Sequence, residues 1–242
     1  MKKFAAFDID GTFIRWQLFH AIVHHLGKSG FISAQRHNDI RAARMTWKNR
    51  GGEDAFASYE AILVDVYLES LKNIPPADYL AVVDAVFDEY KDQLFVYTRT
   101  LLKKLKSDGY VLFAISGSQD EIVQRLAYYH GFDAAVGATL EKRNGHFTGA
   151  IETPIHDKAA ALAALVKAHG VSYDGSIAVG DSGGDIAMLS AVERPIAFNP
   201  EQKLFKHARQ HGWHIAVERK NVIYELEPSA YGYDLKMSDE LL

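Results

Sequence analysis

Residues Phe4-Ala5-Ala6-Phe7-Asp8-Ile9-Asp10-Gly11-Thr12 constrain this chain more than any other stretch. The apolar run Phe4–Phe7 predicts a short buried strand, and Gly11-Thr12 predicts the turn that stops it. Asp8 and Asp10 then stand at the carboxyl end of that strand. Carboxylates are costly to bury without a proton or a cation to compensate them. The pair therefore points to a metal site that includes a reactive carboxylate. In an open α/β sheet, ligands also bind at the carboxyl ends of the strands. The competing reading is a surface Asp-x-Asp-Gly turn, and the remaining motifs decide between the two.

Four helical patterns follow without a strand between them: Arg15–Leu26, Ser33–Arg50, Glu53–Lys72 and Ala77–Asp92, the last opened by Pro75-Pro76. From Thr98 the pattern changes to alternating helices and strands. Apolar strands are expected at Tyr110–Ile115, Ser176–Val179, Pro195–Phe198 and His214–Val217. Helices are expected at Thr98–Ser107, Asp120–His130, Asp157–His169, Ile186–Val192 and Glu201–His211. Residues Ala138–Ile151 read as a hairpin turning at Asn144-Gly145. Strands separated by helices imply an α/β fold with a mostly parallel sheet and helices on both faces. The expected division is a core of residues 1–13 and 96–227, a helical insertion over 14–95, and an unassigned tail over 228–242.

Composition excludes several classes. The chain has 242 residues, no cysteine, a formal net charge of −4 and a pI near 6.3. Thiolate metal sites, disulfides and cysteine nucleophiles are ruled out. Nothing global draws the chain to nucleic acid or to an anionic membrane. The basic start Met1-Lys2-Lys3 leads into an apolar run that Asp8 breaks, so it reads as a strand and not a signal peptide, and no stretch is long enough to span a membrane. A cytoplasmic monomer or homodimer is expected.

Polar clusters fall at the strand ends and helix starts: Asp8/Asp10, Ser116-Gly117-Ser118, Lys158, and Asp181/Asp185. The chemistry that uses this set is phosphoryl transfer to a carboxylate. A phosphate monoester and an aspartate repel unless charge between them is neutralised. Mg²⁺ on carboxylate oxygens does this, and Lys158 adds a fixed positive charge. Ser116 and the amides after it can donate hydrogen bonds to phosphoryl oxygens. A second carboxylate can protonate the leaving alcohol and later take a proton from water.

In order and spacing these residues resemble the haloacid dehalogenase-like superfamily. Asp8-Ile9-Asp10-Gly11-Thr12 is similar to its first motif, Ile115-Ser116-Gly117-Ser118 to the second, Lys158 to the third and Gly180-Asp181-Ser182-Gly183-Gly184-Asp185 to the fourth. The position of the insertion looks like the phosphoserine-phosphatase-like branch. The resemblance implies a Rossmann-like, doubly wound sheet with an inserted all-helical cap of the C1 type. It implies Asp8 as nucleophile and Asp10 as general acid/base. Phosphate-binding positions would be Thr12, Ser116, Gly117 and Lys158. Mg²⁺ would be held by Asp8, the Asp10 backbone carbonyl and Asp181, with Asp185 in support. The substrate would be a small phosphomonoester.

Three departures bear on specificity. Where phosphoserine phosphatases carry a Glu after the first motif, this chain has Gln17. The segment Asp65–Leu71 has no Arg, and Gly184 stands where Asn is frequent. Trp16 and Gln17 are candidates for the wall of the substrate pocket. Arg36, Arg41, Arg44, Lys48 and Arg50 read as a solvated helix face, and His20, His24 and His25 as surface of the helical insertion. A signalling receiver would place its acceptor Asp on a later strand of a shorter domain. A silent binding protein would not need the full set, dehalogenation would not need Asp10, and a phosphomutase shares every motif.

Overall fold

The computed structural model describes residues 1–52, 55–220, 222–230 and 232–237. In chain order the elements are β1 (Lys3–Phe7), α1 (Leu18–Lys28), α2 (Ala34–Lys48), α3 (Ala55–Leu71), α4 (Pro76–Tyr90), α5 (Val96–Ser107), β2 (Val111–Gln119), α6 (Asp120–His130), β3 (Ala134–Arg143), β4 (His146–Glu152), α7 (Lys158–His169), β5 (Ser172–Gly180), α8 (Ile186–Ser190), β6 (Arg194–Phe198), α9 (Gln202–His211), β7 (His214–Arg219), β8 (Val222–Ser229) and β9 (Gly232–Met237). Among the described residues, no helix is long and apolar enough to cross a membrane. The chain forms two compact units. One holds residues 1–17, 90–138 and 153 onward; the other holds 18–89 and 139–152.

The first unit is built on a sheet in the order β3-β2-β1-β5-β6-β7-β8-β9. From β3 to β7 every pairing is parallel, and β8 and β9 add on antiparallel. Sequence order reverses at β1, which lies between β2 and β5, so a crevice for ligands is expected at that point. Residues of β1 alternate between the two faces and are buried on both: Phe4 and Ala6 join the core that α7, α8 and α9 cover with Leu162, Met188, Leu189 and Leu204. Asp157 opens α7 by accepting from the Ala160 amide at 2.8 Å, and left-handed Gly170 closes it. The placement of Lys158 follows from that cap.

Two local expectations change. The strand expected at Tyr110–Ile115 runs on through Ser116-Gly117-Ser118 to Gln119. Its pairing with β3 shifts register between Ile115 and Gln119, so these polar residues form an irregular end of the strand itself. The unassigned tail holds the end of β8 and all of β9; its residues 231 and 238–242 lie outside the described residues.

The second unit contains α1–α4 and the hairpin formed by residues 139–152. The hairpin turns at Asn144-Gly145 and pairs Thr139 with Glu152. The sequence pattern places this segment in the core, residues 96–227, and leads to an all-helical insertion. Its apolar face instead meets helices: the Phe147 ring lies 5.1 Å from that of Tyr79, edge to face. Gly149 sits so close to Leu68 that a β-carbon there would be 3.0 Å from the Leu68 carbonyl oxygen. The buried Tyr67 and Tyr79 hydroxyls meet at 3.1 Å. Glu53, the expected start of the third helix, lies outside the described residues; the helix is described from Ala55. Helix α2 buries none of its side chains fully.

Candidate active site

The first unit brings the four polar clusters together. Asp8 follows β1 directly, and its amide donates to the Val179 carbonyl at 2.9 Å, which extends the β1–β5 pairing by one residue. The chain then folds back on itself. The amides of Phe13 and Ile14 both donate to the Ile9 carbonyl at 2.9 Å, and the Gly11 amide donates to Ile14 at 3.0 Å. Gly11 takes a left-handed φ of +85°, and a β-carbon there would collide with the Asp181 carboxylate. Both conditions select glycine.

Lys158 is the one buried lysine or arginine among the described residues, and its ammonium donates to Asp8 Oδ1 and Asp185 Oδ1, each at 2.6 Å. The other oxygen of Asp185 accepts from the amides of Asp181 (3.2 Å) and Ser182 (2.9 Å) and from the Ser182 hydroxyl (2.9 Å). Gly180 lets Asp185 approach this closely, since a β-carbon there would fall 2.6 Å from its Cβ. Asp181 accepts from the Thr12 hydroxyl at 3.3 Å. Asp10 accepts from the Ser116 hydroxyl at 2.6 Å, and that hydroxyl oxygen accepts from the Ser118 amide at 2.9 Å.

Four carboxylates against one buried ammonium make this place strongly negative. Burial pushes the Asp8 carboxyl up to about 7; Lys158 pulls it down, while Asp185 and Asp10 push it further up. Burial likewise pushes Asp181 up to about 8, with Asp8 and Asp185 adding to the effect. Burial alone would lower Lys158, but Asp8 and Asp185 outweigh it and hold the ammonium charged, above its ordinary range.

A divalent cation fits this donor set. Asp8, Asp181 and Asp185 each offer a carboxylate oxygen, all within 4.8 Å of one another. Asp8 Oδ2 is buried and has no hydrogen-bond partner. Hard oxygen donors and uncompensated negative charge suit Mg²⁺. The family resemblance implies a supporting role for Asp185. In the structure one oxygen of Asp185 is committed to Lys158 and the other to the Asp181–Ser182 turn, while the Asp10 carboxylate is turned to Ser116.

Gly117 is close-packed, with a β-carbon position 3.0 Å from Ile155. Trp16 is half exposed and stacks on Tyr90, with ring centroids 6.0 Å apart and planes 15° apart; Gln17 is partly buried at the end of the same segment. A groove of about 990 Å³ opens elsewhere in this unit, at the amino ends of β6 and β7, lined by Arg194, Trp213 and His214. None of the four carboxylates reaches it, so the chemistry and not the volume locates the site.

Sequence reasoning missed two supports. Ser182 is the first residue of a Ser-x-x-Asp pattern, the signal of a reciprocal cap, and it carries that cap with Asp185. Thr98 is fully buried, and its hydroxyl donates to the Thr12 carbonyl at 2.9 Å; nothing local marks it.

Comparison with known proteins agrees with this geometry. A family model described as haloacid dehalogenase-like hydrolase matches residues 5–190. A phosphoserine phosphatase from Archaeoglobus fulgidus is 28% identical over 206 residues, 84% of this chain and 54% of that protein. A histidinol-phosphatase from Neisseria meningitidis is 26% identical over 232 residues, 88% of this chain and 97% of that protein. A solved structure from Bordetella pertussis, described as of unknown function, superposes with a TM-score of 0.71 at 22% identity, covering 89% of this chain and 98% of that one. It shares the fold. The chain spans about half the length of the phosphoserine phosphatases it matches first.

Proposed function

Since the chain belongs to the haloacid dehalogenase-like hydrolase family, in its phosphoserine-phosphatase-like branch, we propose that it hydrolyses a small phosphomonoester through an aspartyl-phosphate formed on Asp8. The observation that carries this reading is the state of Asp8. One oxygen is fixed by Lys158, and the other is buried with no partner, held ready for an incoming electrophile or cation.

The residues divide the work as follows. Lys158 holds Asp8 oriented and offsets charge on the phosphoryl oxygens. The Gly117 amide is a donor for those oxygens, and so is the Ser116 hydroxyl once it turns from Asp10 to a bound phosphoryl group. Asp8 attacks phosphorus, and the bond to the ester oxygen breaks. Asp10 delivers a proton to that oxygen, so the product leaves as a neutral alcohol. Asp10 then takes a proton from water as the water attacks the aspartyl-phosphate, which releases inorganic phosphate and restores Asp8. Mg²⁺ held by Asp8, Asp181 and the Asp10 carbonyl, with Asp185 behind them, would neutralise the repulsion between carboxylate and phosphate.

These groups meet only phosphate and ester oxygen, so they do not read the remainder of the substrate. We assign that to residues outside this cluster, Trp16 and Gln17 among them. In the second unit, residues 65–71 carry Asp65 and Glu69, both ion-paired with Arg36. An amino-acid substrate needs a cation for its carboxylate, and this segment supplies none. Phosphoserine is therefore not expected to be the best substrate. A Mg²⁺-supported screen of phosphomonoesters, including phosphoserine, histidinol phosphate, sugar phosphates and nucleotide monophosphates, tests the reading with Asp8→Asn as control. Turnover that vanishes in the variant supports it, and undiminished turnover in a folded variant refutes it.

A further inference from the structure

Outside the carboxylate–lysine cluster, Glu218 is the one charged residue buried among the described residues. It lies at the end of β7, beyond the residues 5–190 matched by the family model. Its carboxylate accepts two bonds from separate parts of the chain. One oxygen accepts from the Arg15 guanidinium, and the other accepts from the Tyr97 amide at 2.9 Å. The Glu218 amide donates to the Asn199 side chain at 2.8 Å, which fixes the direction of the residue.

Both partners lead to the loop that carries Asp10. Arg15 ends that loop. Asp10 bridges to Ile14, the Arg15 amide donates to the Gln93 carbonyl at 2.8 Å, and its Nε donates to the Leu94 carbonyl at 2.7 Å. Tyr97 lies in the first turn of α5. The residue that opens this helix, Phe95, has no side-chain cap, so the Glu218 carboxylate supplies the acceptor, an anion at a helix amino end. Capped there, α5 presents the Thr98 hydroxyl to the Thr12 carbonyl at 2.9 Å. One carboxylate thus fastens the loop twice: at Arg15 directly, and at Thr12 through α5. Asp8 is held by other groups, the Val179 carbonyl and Lys158.

We propose that Glu218 is a positioning residue for Asp10: it fixes the loop from which Asp10 delivers its proton, while Asp8, Ser116 and Lys158 are held by other groups. The inference rests on the phosphatase reading above. Its signature is a loss that depends on how much the leaving group needs a proton. An alkyl alcohol must be protonated as it departs, whereas p-nitrophenolate leaves unprotonated. Because kcat/KM reports only the steps up to departure of the alcohol, it isolates that need from the later hydrolysis.

The test measures kcat/KM for p-nitrophenyl phosphate and for the best alkyl phosphate of the screen, at Mg²⁺ concentrations shown to be saturating for each protein, so that a weakened metal site does not mimic the loss. The proteins are wild type, Glu218→Gln, Arg15→Ala and, as reference, Asp10→Asn. For both positioning variants the alkyl substrate is expected to lose about tenfold or more and the aryl substrate less than about threefold, the pattern that Asp10→Asn shows more strongly. Arg15→Ala keeps the α5 cap and removes a partly exposed side chain, so it decides the matter alone if Glu218→Gln does not fold. Equal losses on both substrates, a larger aryl loss or no loss would overturn the inference. A wild-type protein inactive on every phosphomonoester would instead contradict the phosphatase reading.

Discussion

Lys158 carries one charge and faces two buried carboxylates, Asp8 and Asp185. Lys158→Met leaves both without a cation. We expect kcat/KM to fall at least about 100-fold and the metal-free protein to lose about 3 kcal/mol at pH 8, with a smaller loss near pH 5, where Asp8, raised to about 7, holds its proton. Denaturant unfolding in chelator at both pH values checks this. The raised carboxyls give a second prediction. Asp8 and Asp181 hold protons in the folded chain up to about 7 and about 8, whereas an unfolded chain releases them near 4. Between those values the folded state binds more protons than the unfolded state, so stability of the metal-free protein falls as pH rises. Cation binding displaces those protons and removes the penalty, so Mg²⁺ should raise Tm more at pH 8 than at pH 6. Equal Mg²⁺ shifts at the two pH values would contradict this. Motif residues were legible in the sequence because each lies at or just past the carboxyl end of an apolar run or opens a helix. Thr98 and Glu218 were not, because their partners, Thr12, Arg15 and Tyr97, are close only in the fold.

At the scale of elements, the loop after β1 depends on Gly11. Its left-handed φ and the Asp181 carboxylate against it both reject a side chain. Gly11→Ala should displace Asp181 and weaken Mg²⁺ activation by tenfold or more, read as the Mg²⁺ concentration for half-maximal rate, while circular dichroism stays native. An unchanged Mg²⁺ requirement would count against the assignment of Asp181. The buried strands announced themselves by unbroken apolar runs, since β1, β2, β5 and β6 are covered on both faces. The β8–β9 hairpin did not. No residue of β8 is fully buried, and Glu225, Glu227, Pro228 and Ser229 interrupt its apolar residues, so it carries no unbroken apolar run along its length. The hairpin at 139–152 was visible as a hairpin. Its unit was not, because Tyr79 and Gly149's neighbour Leu68 come from helices far earlier in the chain.

At the scale of the whole molecule, the proposed chemistry and the choice of substrate rest on different residues: the carboxylate–lysine cluster would meet only phosphate and ester oxygen. Phosphoserine should therefore not show the highest kcat/KM in the screen, and a wide margin in its favour would overturn the inference from Gln17 and from Asp65 and Glu69. The central claim is the covalent step on Asp8, and trapping tests it most directly. The protein is mixed with Mg²⁺ and its best phosphomonoester, quenched in acid within the first turnover, treated with hydroxylamine and digested for mass spectrometry. An acyl phosphate converts to a hydroxamate, which marks the residue that carried the phosphoryl group. The account predicts a hydroxamate at Asp8 that requires both Mg²⁺ and substrate and is absent from Asp8→Asn; active turnover with no modified Asp8, or with the phosphoryl group on another residue, would contradict it.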